Sequence, residues 1–134
     1  MVEIFQNIRK IYEFNKPCEE LANYVEFYSQ SILDQSVQLA KGEFSSVKMF
    51  PSWTPTFYIN LGTPYYIDLK DIRYHVKKDE DILILRNQDV VRHKLPTDNI
   101  FTVKFNPGGL EAILNINQVS VIDKIINLNY ILPW

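Results

Sequence analysis

The chain has 134 residues, 46% of them hydrophobic, 13% aromatic and 22% charged, which suits one domain with one core and excludes a disordered chain. Its net charge of −2 and sequence pI near 5.6, with no concentrated Lys/Arg face, argue against direct nucleic-acid binding. The single cysteine, Cys18, excludes an intrachain disulfide; no apolar run approaches the ~18 residues of a membrane-spanning helix, and residues 1–6 lack the basic-then-apolar pattern of a signal peptide. These features together point to a cytoplasmic protein with no membrane association.

Residues 3–14 have a mixed pattern that contains one strand. Pro17 is suited to the first position of a single helical turn over residues 17–22. Residues 24–32 alternate, with Val25 and Phe27 expected on one face and Tyr24 and Tyr28 on the other. Gly42 punctuates, residues 43–50 alternate again, and residues 51–55, with two prolines, form a loop. Phe57, Ile59 and Leu61 line one face of the next strand, with Tyr58 and Asn60 opposite. Tyr65, Ile67 and Leu69, then Ile72, Tyr74 and Val76, line two more. Residues 77–81 make a charged turn. The continuous apolar run 82–85 predicts a strand buried on both sides, and residues 90–95 and 100–105 complete roughly eight to ten strands, the spacing of a sandwich or barrel. After Phe105, the breaker cluster Asn106, Pro107, Gly108 and Gly109 gives way to helical spacing at Leu110, Ile113 and Leu114. Ser120 and Asp123 resemble a capping box ahead of Val121, Ile122, Ile125 and Ile126, which predicts a second short helix.

The prediction is a mostly β fold, a jelly-roll or barrel over about residues 1–106 with a helical C-terminal part over 107–134, forming one domain. Such barrels hold small ligands at their mouths. Trp53, Phe57, Tyr58, Tyr65 and Tyr66 supply aromatic walls. Tyr58 and Asn60 are ligand contacts if their face lines the interior and surface residues if it does not. Arg86, at the end of an apolar run, is placed either to pair with a ligand carboxylate or as a solvent-facing charge. Trp53, Tyr58, Asn60, Tyr65, Arg86 and His93 are therefore the candidate pocket residues.

Other chemistry is weakly signalled. The two histidines, His75 and His93, lack the closely spaced His-x-His pattern of a metal-binding barrel, although they and a carboxylate could meet across strands to hold iron. Cys18 sits beside Glu19 and Glu20, a poor setting for a thiolate nucleophile. There is no Gly-x-Ser-x-Gly elbow and no phosphate-binding glycine loop. No catalytic residue, metal or cofactor is assigned, and Pro107, Gly108 and Gly109 are read as a structural turn.

Three segments resemble the N-terminal domain of a branch of AraC-type transcription regulators: Pro17 through Tyr28, with its Pro-x-x-x-Leu-x-x-Tyr-Val spacing; Pro51 through the Leu61-Gly62 pair; and Phe105-Asn-Pro-Gly-Gly109 with the short helical segments after it. They fall in family order over residues 17 to 128. The resemblance implies a cupin-like barrel that senses a small-molecule effector and forms a homodimer, with Leu110, Ile113, Leu114, Ile122, Ile125 and Ile126 as candidate dimer residues. It also implies that DNA is bound only through two helix-turn-helix units spanning roughly a hundred further residues, a domain not contained in these 134. The family's barrels share no universal ligand residue, so the pocket candidates rest on the residues alone. The alternatives are a small cupin-like enzyme, an isomerase or metal-dependent oxygenase, and a stand-alone small-molecule-binding barrel.

Overall fold

The computed structural model describes residues 2–3, 12–31, 46–49, 54–69, 71–93 and 99–132. Its strands are β1 (Val2–Glu3), β2 (Tyr12–Asn15), β3 (Val25–Ser31), β4 (Ser46–Met49), β5 (Thr56–Asn60), β6 (Tyr65–Leu69), β7 (Ile72–Val76), β8 (Ile82–Ile84), β9 (Val90–His93), β10 (Ile100–Phe105) and β11 (Ile125–Asn127). The α-helix α1 (Gly109–Leu114) follows β10, and 3-10 turns occur at Glu19–Leu21, Gln118–Val121 and Leu128–Tyr130.

The fold is mostly β. One sheet has the order β1-β4-β9-β6-β7 and the other β11-β8-β5-β10-β3-β2. The inner parts, β4-β9-β6-β7 and β3-β10-β5-β8, are the two four-stranded sheets of a double-Greek-key jelly roll. Their pairings are antiparallel, whereas the two-residue β1 lies parallel to its neighbour β4. Among the described residues no strand pairing joins the two sheets into a closed barrel, so the architecture is a sandwich.

Period-two alternation gives each sheet two faces. In β5 and β8 both faces are apolar or covered, because these strands lie between the other sheet and a C-terminal layer. Tyr58, Ile82, Ile84 and Ile100 from the six-stranded sheet meet Tyr65, Ile67, Leu69, Val76 and Val90 from the five-stranded sheet in the core between them. Leu83, Leu85 and Phe105 turn the opposite way, with Phe57 and Ile59 beside them. They pack against Leu110, Val121, Leu128 and Leu132 of the C-terminal segment. The apolar run 82–85 is thus buried on both sides, as expected of a central strand.

Two local expectations are corrected. Val25 and Phe27 do not share a face. A register shift between Lys104 and Phe105 pairs Phe27 with Lys104 but Val25 with Phe105. The bulge turns Val25 toward the C-terminal layer while Phe27 makes an edge contact with Phe14 at 5.2 Å between ring centroids. Nor do residues 119–128 form a helix. Asn117, not Ser120, caps the 3-10 turn by accepting from the Val119 amide. Asp123 takes a left-handed φ of +55°, and its Oδ1 accepts from the Asn87 amide at 2.9 Å. The apolar spacing is satisfied instead by an extended segment: Ile122 bridges Leu85, and β11 pairs with β8.

The Pro-Gly-Gly turn is as expected of a helix start. Gly108 has φ +79° and precedes α1, whose first residue, Gly109, is buried.

Candidate functional site

Tyr58, Asn60 and Tyr65 face the interior between the sheets and are buried, as is Arg86. The alternative left open by the sequence, that the Tyr58 and Asn60 face is an outer surface, is not what the fold adopts. Trp53 lies outside the described residues. His93 points the other way, onto the solvent face of the five-stranded sheet, because the inward positions of β9 are taken by Val90 and Arg92.

Asn60 is fully occupied by turn-building. Its amide nitrogen donates to the carbonyls of Thr63 (3.3 Å) and Lys77 (3.1 Å), and its oxygen accepts from the Gly62 amide at 3.0 Å. Its own backbone amide donates to Asp81 Oδ1 at 2.8 Å. Nearby, Glu80 joins the two sheets. It accepts from the Tyr74 hydroxyl at 2.8 Å, the Lys77 amide at 2.9 Å and the Asn127 side chain at 3.1 Å. Burial first, then the bond to Glu80, pushes the Tyr74 phenol up to about 12. This end of the sandwich is a structural clasp.

The other end of β5 is chemically different. Thr56 pairs with Lys104 across β10 and with Ile84 across β8, and Arg86 follows Ile84 by two positions. Arg86 Nη1 donates to the Tyr58 hydroxyl at 2.9 Å. Lys104 Nζ donates to the Thr54 carbonyl at 2.7 Å. Ser29 and Thr102 hydroxyls bond to each other one step further along the same face. The Thr56 hydroxyl is buried and has no hydrogen-bond partner among the described residues. The charged side chains buried among the described residues are Arg86, Arg92 and Lys104, all cationic. Burial pushes the Lys104 ammonium down to about 7; Arg86 lowers it further and Glu26 opposes the shift. Arg92, only 2% exposed, lies between aromatic rings, its guanidinium carbon 5.6 Å from the Tyr12 centroid and 5.5 Å from that of Tyr65. It belongs to the core that joins the sheets rather than to the Arg86 and Lys104 pair.

On the outer face of the five-stranded sheet, Tyr66 stands between the two histidines, opposite His75 on β7 and His93 on β9. The histidines therefore do not meet, and no group of three metal-ligating side chains occurs among the described residues. Arg73 bonds Asp68 through Nε and Nη2 at 2.8 and 3.1 Å. His93 Nε2 donates to the same carboxylate at 2.6 Å. These bonds, Arg73 foremost, hold the Asp68 carboxyl well below the usual range.

The dimer candidates divide. Leu110 is fully buried on its own sheet, Leu114, Ile125 and Ile126 are half-buried, and Ile113 and Ile122 are exposed at 44% and 38%. Val119 and Tyr130, not singled out by the periodicity, are also exposed apolar residues of this layer.

Sequence reasoning missed Lys104, Thr56 and Arg92. Lys104 and Arg92 occupy the polar phase of their strands and so read as solvent-facing, whereas Thr56 shares the phase of Tyr58 and Asn60, which the sequence leaves open between interior and surface. The available signal was position: β10 and β9 are interior strands of their sheets, and each turns one phase into the space between the sheets.

The chain matches no protein-family model and no curated protein sequence.

Proposed function

We propose that the chain is the effector-sensing, dimerising part of a transcription regulator of the AraC type, with DNA binding carried by a separate domain. The single observation that carries this reading is that the six-stranded sheet is a shared wall. Its strands β5, β8 and β10, with the Arg86 that follows β8, direct Tyr58, Thr56, Arg86 and Lys104 inward. The same strands direct Phe57, Leu83, Leu85 and Phe105 outward against α1 and the segment after it. A small molecule bound between the sheets is then one sheet thickness from the layer that carries Ile113 and Ile122. It acts by favouring one arrangement of that layer, and the shift equals its difference in affinity for the two arrangements. The resemblance of residues 17 to 128 to such sensor domains supports the same reading.

The test is hydrogen exchange on the 134-residue chain with and without compounds that raise its melting temperature. Altered protection in residues 109–132 on binding is the expected result. Stabilising compounds that leave that layer unchanged would remove the coupling on which the proposal depends. The chain alone, with its net charge of −2, is expected to leave duplex DNA unbound.

A further inference from the structure

We infer that Arg86, Lys104 and Thr56 recognise the carboxylate of a small organic acid held between the two sheets. This names the ligand class for the sensor reading above and rests on it.

Three adjacent strand lines, β8 continuing to Arg86, β5 at Thr56 and β10 at Lys104, bring these side chains to one end of the interior. Placing two cations there carries a cost in a sandwich interior, because each is desolvated and each repels the other. A purely structural interior would fill inward positions on interior strands with apolar side chains, as Ile82, Ile84 and Ile100 do on the same sheet. The buried Thr56 hydroxyl, lying on the strand between the two cations, has no hydrogen-bond partner among the described residues and is a further donor to an anion. A planar guanidinium, an ammonium and a hydroxyl suit a carboxylate, and charge-assisted bonds of this kind are roughly twice as strong as neutral ones. The Tyr58 hydroxyl, bonded to Arg86, fixes the guanidinium and so acts as a positioning residue. Beyond these groups the same inward face continues as Ile82, Ile84 and the Tyr58 ring, packed in the core between the sheets, and it is these that the body of the acid would meet. The acid therefore has a compact apolar or aromatic body, and a single negative charge suits a site whose lysine is partly protonated near neutral pH.

The experiment is calorimetric titration of the 134-residue chain at pH 6.5 with benzoate and hexanoate, their neutral counterparts benzyl alcohol and hexanol, and inorganic phosphate. At least one carboxylate is expected to bind about tenfold or more tightly than its alcohol, a difference of ~1.4 kcal/mol. Lys104→Met, which removes a desolvated like charge and so retains the fold, is expected to weaken that carboxylate by about tenfold or more and leave the alcohols unchanged. Thr56→Val should weaken it less. Carboxylates no tighter than their alcohols, an unchanged affinity in Lys104→Met, or tighter binding of phosphate would each overturn the assignment. If the alcohols alone bind and alter protection in residues 109–132, the anion site is wrong while the sensor reading stands. If no probe of either kind binds, both fall.

Discussion

The carbonyl oxygen of Tyr24 occupies the space that a side chain at residue 109 would need: a Cβ built on Gly109 lies 2.1 Å from it. The same carbonyl accepts from the Asn106 amide at 2.9 Å, and the Asn106 side chain donates to the Ala22 carbonyl at 3.0 Å. The Pro-Gly-Gly turn is therefore docked on the turn that leads into β3. Residues 22–24 and 106–109, far apart in sequence, are thus one contact in space. Gly109→Ala must displace backbone, and the expected loss is about 2 kcal/mol or more. Gly108→Ala meets no atom within 4 Å but must hold φ at +79°, costing ~1–2 kcal/mol. Urea unfolding of the two variants checks the order; equal losses would show that the close approach to Tyr24 is relieved cheaply.

Lys104 makes stability depend on pH in a direction opposite to that of a salt-bridged lysine. Its folded pKa is lowered to about 7 from 10.5. Between those values the unfolded chain binds a proton that the native chain does not, so native stability rises with pH across that window. Below about pH 7 both states are protonated and the burial cost is felt in full. The charged groups acting on it are Arg86 beyond β8, which adds to the cost, and Glu26 on β3, which offsets it. Lys104→Met is expected to stabilise the chain by ~1–3 kcal/mol at pH 6, with the gain shrinking by pH 9.5, despite losing the bond to Thr54. A gain that grows with pH would contradict the assignment of the shift to burial.

Glu80 collects donors from the two sheets, Tyr74 on β7 and Asn127 on β11, together with the Lys77 amide. Glu80→Ala strands two partly buried donors, Tyr74 and Asn127, and frees the exposed Lys77 amide to water, and the expected cost is roughly 1–3 kcal/mol. Tyr74→Phe removes one bond and should cost less. In Glu80→Gln the Tyr74 phenol, now about 12, should titrate at lower pH, because the carboxylate that disfavours the phenolate is gone. An unchanged titration, followed by NMR, would assign the whole shift to burial.

On the outer face Asp68 is held by Arg73 at 2.8 Å and by His93 at 2.6 Å. Their worth is nonetheless small, because Arg73 is 60% exposed and water screens the pair. Asp68→Asn is expected to change stability by less than about 1 kcal/mol at neutral pH. The depressed carboxyl contributes above its ordinary value of 3.8. That contribution is lost as pH falls through the folded pKa, so the wild-type advantage should vanish in acid. A loss of several kcal/mol at pH 7 would show that the network carries more than a surface pair.

The sequence already contained most of the strands, though not β11, and it contained the turn at Gly108 and Gly109 and the two-sided burial of residues 82–85, because each is written in local periodicity or in a residue type with one conformational use. It also placed Tyr58, Asn60, Tyr65 and Arg86 as candidates for the interior. Its limits have a common origin. Alternation tells which residues share a face, but not what covers that face. Lys104 and Thr102 share the polar phase of β10 and read as solvent-facing, yet β10 lies between β5 and β3, and its polar phase points into the sandwich. His93 reads as an interior candidate by type, yet its phase on β9 is the outward one. A bulge at Lys104/Phe105 separates Val25 from Phe27, and one extra residue carries no signature in composition. Helical spacing at Val121, Ile122, Ile125 and Ile126 is equally served by an extended segment whose partner, β8, is distant in sequence.

The proposed dimerisation makes the six candidate residues behave as distinct sets. Leu110 is fully buried against its own sheet, so Leu110→Ala should cost ~2–5 kcal/mol and reduce folding whatever the oligomeric state. Ile113 and Ile122 leave their apolar side chains exposed on the C-terminal layer, so a charge there costs little in a monomer but would be buried unpaired in a dimer. Ile113→Asp and Ile122→Asp are therefore expected to retain the melting temperature of a monomeric fold while shifting sedimentation from dimer to monomer at tens of micromolar protein. A wild-type chain that sediments as a monomer at that concentration would remove the dimer from the proposal. Dimers that survive both substitutions would move the contact to another surface.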